Sequence, residues 1–195
     1  MRNVYTHLRK EHVDSFKENG VVVIPNVLTE VEVTMAITKL EESLKNKGCD
    51  ATSLETTAKS LHKLSSTYGS GGILDIFYED WKLKLNEHPA VVSSIQTLWR
   101  ETYCTYSADN IDEDINDFSH PYGNFDPSEG YMYIDRVCYR VPSIISSQFG
   151  ESKKKQLQRS LTPHLDCCPH NMYGNDSKWR PIQAFICLTD TLLPE

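Results

Sequence analysis

Apolar residues recur at helical spacing near the start of the chain, where Val13 and Phe16 share a stripe across residues 9 to 19. The run ends in Asn19-Gly20, a pair suited to a left-handed helix stop. VVVIP follows at once, a continuous apolar run that predicts a short buried strand closed by Pro25. In NVLTEVEV, Thr29 and Glu32 have the spacing of a capping box, and Leu28 and Val33 occupy the staple positions. The helix they open carries Val33, Ile37, Leu40 and Leu44 on one stripe until Lys47-Gly48. Residues 49 to 72 are polar, end in YGSGG and read as a flexible connection. Pro89 suits a first helical turn, and Val91, Ile95 and Leu98, with Trp99, predict an amphipathic helix after it.

Beyond residue 130 the period changes to two. YMYIDRVCYRVP predicts a long strand with Tyr131, Tyr133, Asp135, Val137, Tyr139 and Val141 on one face. Met132, Ile134, Arg136, Cys138 and Arg140 take the other. ESKKKQLQRS reads as a charged, solvated loop or short helix, and LTPHLDCC and PIQAFICLTD as two further extended segments.

Composition narrows the partners. The 195 residues suit one domain, 39% hydrophobic and 24% charged, which is the balance of a folded protein. A net charge of -7 disfavours a nucleic-acid partner, because displacing counterions from phosphates needs a basic face. No apolar run approaches the roughly 20 residues that span a bilayer, and MRNVYTHLRKEH is no signal peptide. A cytoplasmic protein with six cysteines that are reduced thiols or metal ligands, and no membrane partner, is therefore expected. The acidic stretch SADNIDEDINDF lacks the glycine and glutamate of a calcium loop, and YGSGG lacks the Lys-Ser/Thr of a phosphate loop.

The chemistry concentrates in LTPHLDCCPH. On an extended segment, residues i and i+2 project to one face, so His164 and Asp166 can both reach one ion. An imidazole and a carboxylate, completed by a second imidazole, form the triad that holds Fe(II) with open positions. H-x-D by itself recurs by chance, and an isolated histidine is often simply packed and hydrogen-bonded. A zinc site from His164, Cys167 or Cys168 and His170 is the competing assignment, but Pro169 and the short spacing make a tetrahedral cage awkward.

The order FKENGVVVIPNVLTEVEV, NEHPAVVSSIQTLW, YIDRVCYRVP, LTPHLDCCP and PIQAFICLTDTLLPE resembles the phytanoyl-CoA dioxygenase family of Fe(II)- and 2-oxoglutarate-dependent oxygenases. The likeness covers nearly the whole chain, and HLD followed about twenty residues later by LTD is its most specific part. It implies an α+β fold, a cupin-like double-stranded β-helix or jelly roll, with N-terminal helices packed on one side. Residues 1–104 would be the helical part, 105–130 an acidic loop and 131–195 the β-helix part. His164 and Asp166 match the first two iron ligands. Tyr139, Arg140, Gln183 and Phe185 lie on segments that line the cofactor pocket in the family, though sheet packing or a surface network with Arg136 and Asp135 accounts for them equally. Trp179 would wall the pocket or cover the barrel mouth.

The resemblance implies hydroxylation of a small-molecule or acyl substrate with O2 and 2-oxoglutarate, and the presence of Asp166 favours this over the related halogenation. The family's third ligand, a histidine, and its 2-oxoglutarate arginine come after the point at which this chain stops, so no residue here is assigned to either. The chain is accordingly expected to be C-terminally incomplete and silent by itself. A non-catalytic β-helix binding or scaffold protein that has lost the iron site is the alternative.

Overall fold

The computed structural model describes residues 8–102, 130, 132–149, 157–164 and 182–190. Six α-helices lie among them: α1 (Lys10–Asn19), α2 (Glu30–Asn46), α3 (Leu54–Thr57), α4 (Asp80–Asn86), α5 (Pro89–Thr102) and α6 (Ser143–Gln148). The described sheet has two strands, β1 (Ile73–Leu74) and β2 (Val137–Cys138). No described helix is long and apolar enough to cross a membrane. The chain divides into two compact units, one formed by Met1–Thr29, Asn86–Met132 and Leu165–Glu195, the other by Glu30–Leu85 and Tyr133–His164.

In the first unit, α1 ends where periodicity predicts. Gly20 takes φ 72 and its amide donates to the Phe16 carbonyl at 2.9 Å, a left-handed stop that an L side chain would strain. Val13 of α1 and Leu98 of α5 are buried with Leu8, and Phe16, Val22, Ile24 and Ile182 pack on them. VVVIP is not the buried strand its apolar run predicts. Residues 21 to 24 have no strand partner among the described residues, and Val21 and Val23 stay 63% and 82% exposed. Only every second residue reaches the cluster, so the continuous run is in effect one-sided. Pro89 opens α5, with Val91 and Leu98 buried as expected and Ile95 half-buried beside them.

The second unit holds the larger core. Leu40 and Leu44 of α2 pack with Cys49, Ala58, Leu61, Leu74, Ile76, Val141, Ile145 and Leu157. Helix α2 closes as the Cys49 amide returns to the Leu44 carbonyl at 2.9 Å, the six-to-one bond of a Schellman stop. The connection expected over 49 to 72 is in large part ordered helix: 3-10 turns at Ala51–Ser53 and Ala58–Leu64 flank α3. Asp50 caps the first turn by accepting from the Thr52 amide at 2.9 Å, and Cys49, Ala58 and Leu61 are at most 2% exposed. Few apolar residues are enough here because they are spaced to meet α2.

The strand expected across 131 to 142 is much shorter. Ile73 pairs with Cys138 and Leu74 with Val137, antiparallel, and the Tyr139 amide adds a bond to the Gly72 carbonyl at 2.9 Å. Pairing stops there because the partner bends away at the Gly69–Gly72 turn. Alternation nevertheless holds: Val137, Tyr139 and Val141 face the core while Arg136, Cys138 and Arg140 are exposed. The tail of ESKKKQLQRS also departs from a solvated excursion, since Leu157 and Gln158 are buried.

Among the described residues the two-stranded sheet is all there is of the double-stranded β-helix expected from the sequence. Much of the segment expected to form it, 165–181, lies outside the described residues, as do Tyr131 and nearly all of 105–130, the span expected to be an acidic loop.

Candidate functional site

The second unit presents its polar chemistry around the turn Ser65–Gly72 and the segment Leu157–His164. Gly69 makes this meeting possible. Its φ is 75, and a Cβ built there would stand 2.2 Å from the Leu157 carbonyl oxygen, well inside contact distance. The Arg159 amide donates to the Gly69 carbonyl at 3.0 Å and the Gly71 amide to the Arg159 carbonyl at 2.9 Å. Ser70 and Arg159 thereby form a parallel bridge.

Buried Gln158 locks the adjoining edge. Its side-chain oxygen accepts from the Val141 amide at 2.9 Å and its Nε2 donates to the Tyr139 carbonyl at 2.6 Å. Its own amide donates to Ser146 Oγ at 3.0 Å, and the Ser146 hydroxyl donates back to the Gln158 carbonyl at 3.1 Å. Four hydrogen bonds are made by one side chain and its backbone to three partner groups, so the start of the 157–164 segment is firmly held.

From Arg159 onward this segment is exposed, and it ends at His164 without regular secondary structure. His164 Nδ1 lies 2.6 Å from the Thr162 carbonyl oxygen. A carbonyl only accepts, so Nδ1 carries the proton, and in the neutral ring the lone pair sits on Nε2. That tautomer is the one that ligates a metal through Nε2 while a backbone oxygen orients the ring. Asp166, Cys167, Cys168, His170 and Trp179 lie outside the described residues, and so does the geometric relation of Asp166 to His164. Among the described residues no group of three or more His, Cys, Asp or Glu could hold a metal ion.

Tyr139 and Arg140 are neighbours in sequence that point to opposite faces. Tyr139 is half-buried on the core, and that burial, reinforced by Cys49 and Glu41, pushes its phenol above the ordinary value. Arg140 is exposed, with its stem over Gly72: a Cβ on Gly72 would meet Arg140 Cγ at 2.9 Å. In the first unit, Gln183, Phe185 and Cys187 share the exposed positions of 182–190, as alternation predicts, while Ile182, Ile186 and Leu188 are half-buried. Phe185 is 74% exposed.

Three ionisable groups of the second unit escaped the sequence reading. Asp75 accepts from the Ser66 amide at 2.7 Å, the Ser66 hydroxyl at 3.0 Å and Arg136 Nε at 2.9 Å. Burial pulls its carboxyl upward, but these donors outweigh burial and hold it below the ordinary range. Glu79 is likewise drawn upward by burial and then held low by Lys47, Ser43 and Trp81, at 2.7, 2.7 and 2.8 Å. Lys82, 8% exposed, donates to the Phe77 and Asp135 carbonyls, and burial lowers its pKa against the opposing pull of Asp135. The available signal was the spacing of Leu74 and Ile76, both buried, which marks 73–76 as extended chain rather than linker.

No protein-family model, curated protein or solved structure matches the chain.

Proposed function

We propose that the chain belongs to an Fe(II)- and 2-oxoglutarate-dependent dioxygenase that hydroxylates a small-molecule or acyl substrate. The observation that carries this reading is His164: its Nδ1–H is given to the Thr162 carbonyl, which directs the ligating lone pair to Nε2, two residues before a carboxylate. The order of motifs around HLD supports it as a resemblance. Bound Fe(II), with 2-oxoglutarate and O2, supplies the oxidation that turns a C–H bond into C–OH while 2-oxoglutarate becomes succinate and CO2.

The protein's own part is placement. His164 and Asp166 contribute one nitrogen and one oxygen ligand. Arg140, exposed and set on Gly72, offers its guanidinium to a carboxylate of 2-oxoglutarate or of the substrate. A double-stranded β-helix wrapped by N-terminal helices is the scaffold we assign to this reading. The cytoplasm suits the free thiols Cys49 and Cys187, the second of them exposed, because such thiols persist in a reducing compartment.

Anaerobic calorimetric titration of the 195-residue chain with Fe(II) tests the proposal. One ion should bind per chain, and His164→Ala and Asp166→Ala should each weaken binding at least about tenfold, the loss that even an outer-shell partner produces. No saturable binding, or binding indifferent to both substitutions, would overturn it in favour of a non-catalytic binding protein.

A further inference from the structure

We propose that the Ser65–Gly72 turn is a binding element for a small acid carrying a flat ring, independent of any metal chemistry at His164. Tyr68 takes φ 54, a left-handed conformation that a bulky L residue adopts only under constraint, yet its side chain is 78% exposed. The ring is therefore held out in solvent by a strained backbone and not by burial. Residues kept in such conformations cluster where a ligand is clamped.

The turn surrounding Tyr68 is closed upon itself. The amides of Tyr68 and Ser70 donate to the Ser65 and Thr67 carbonyls at 3.3 and 3.2 Å, and the Gly69 amide donates to Ser65 Oγ at 3.0 Å. The Gly71 and Gly72 amides are engaged by Arg159 and Gly69. No backbone cradle for an anion is left, so a ligand here must be held by side chains.

Arg159 supplies that grip. Its Nη2 donates to the Thr67 carbonyl at 3.1 Å, which fixes a guanidinium on the residue preceding Tyr68 and leaves further N–H donors of its fork for an acid. Among the described residues Arg159 has no carboxylate partner, whereas Arg136 is paired with Asp75. An exposed ring on the turn that this guanidinium holds fits a ligand in which a phosphate or carboxylate adjoins a flat ring.

Amide shifts of the full chain, followed by NMR during titration with phenyl phosphate and with benzoate, test this and separate the two anion types. At least one should saturate the shifts of residues 67–72, at least about tenfold more tightly than inorganic phosphate or phenol alone. Tyr68→Gly accepts φ 54 without strain, so the turn keeps its shape and loses only the ring. It and Arg159→Gln should each weaken binding at least about tenfold, with His164→Ala unchanged. Failure of both ligands to saturate, equal binding of inorganic phosphate, or wild-type binding by Tyr68→Gly would overturn the proposal.

Discussion

Substituting Gly69 by alanine probes the contact on which the placement of the 157–164 segment depends. The added Cβ would lie 2.2 Å from the Leu157 carbonyl oxygen, and that atom is backbone, so no side chain can swing aside to relieve it. Relief requires the Leu157–Arg159 chain to retreat by about 1 Å, given that non-bonded contacts settle near 3.5 Å. Such a shift breaks or stretches the two bonds between Arg159 and the turn, worth about 1 kcal/mol each. An L residue at φ 75 adds about 1–2 kcal/mol, and the stiffer unfolded chain returns about 0.4–1 kcal/mol. The net loss should be about 3 kcal/mol. Gly20→Ala is the control, because φ there is 72 but nothing lies within 4 Å of the added carbon. It should cost about 1 kcal/mol, the conformational part alone. Urea titrations of both variants against the parent, with slopes compared to confirm that the same surface unfolds, give the two numbers. If Gly69→Ala costs no more than Gly20→Ala, the carbonyl of Leu157 does not approach the turn as closely as inferred, and the anchoring of the His164 segment falls with it.

Leu44→Ala should cost about 3 kcal/mol, since Leu44 is 0% exposed at the centre of its core, and a loss of less than a quarter of that, from the urea midpoint shift multiplied by the slope, would place Leu44 at the surface. Acid should destabilise the second unit through Asp75 and Glu79. Both are depressed in the folded state, so their contribution is fully present above the unfolded values of about 3.9 and 4.3 and is lost as pH falls through the lower folded ones. The double variant Asp75→Asn, Glu79→Gln should therefore flatten the acid limb of stability against pH, and an unchanged limb would refute the assignment. Native-state labelling with a thiol reagent should reach Cys187 quickly and Cys49 only on unfolding. Burial, opposed by Ser60 and Thr57, pushes the Cys49 thiol up and away from the reactive thiolate.

The candidate site was legible to different depths. Alternation assigned Tyr139 and Arg140 to opposite faces, and Gln183, Phe185 and Cys187 to a common one, because side-chain direction along extended chain follows from covalent geometry. The orientation of His164 was not legible. It depends on a hydrogen bond to a carbonyl two residues back, and the residue alphabet does not encode that rotamer. Tyr68 escaped for a related reason: YGSGG reads as a linker until the φ of the tyrosine and the approach of Leu157 are known.

Helices α1, α2 and α5 were determined by the chain alone, through apolar spacing, Gly20, Gly48 and Pro89, since local periodicity and end chemistry both act within a few residues. Tertiary contact decided the rest. VVVIP forms no strand among the described residues because none of them lies alongside as a partner, and residues 51–64 gained helical turns because Ala58 and Leu61 find α2. Among the described residues the long alternating run pairs over two residues, since a strand extends no further than the backbone it meets, and here that backbone turns away at three glycines.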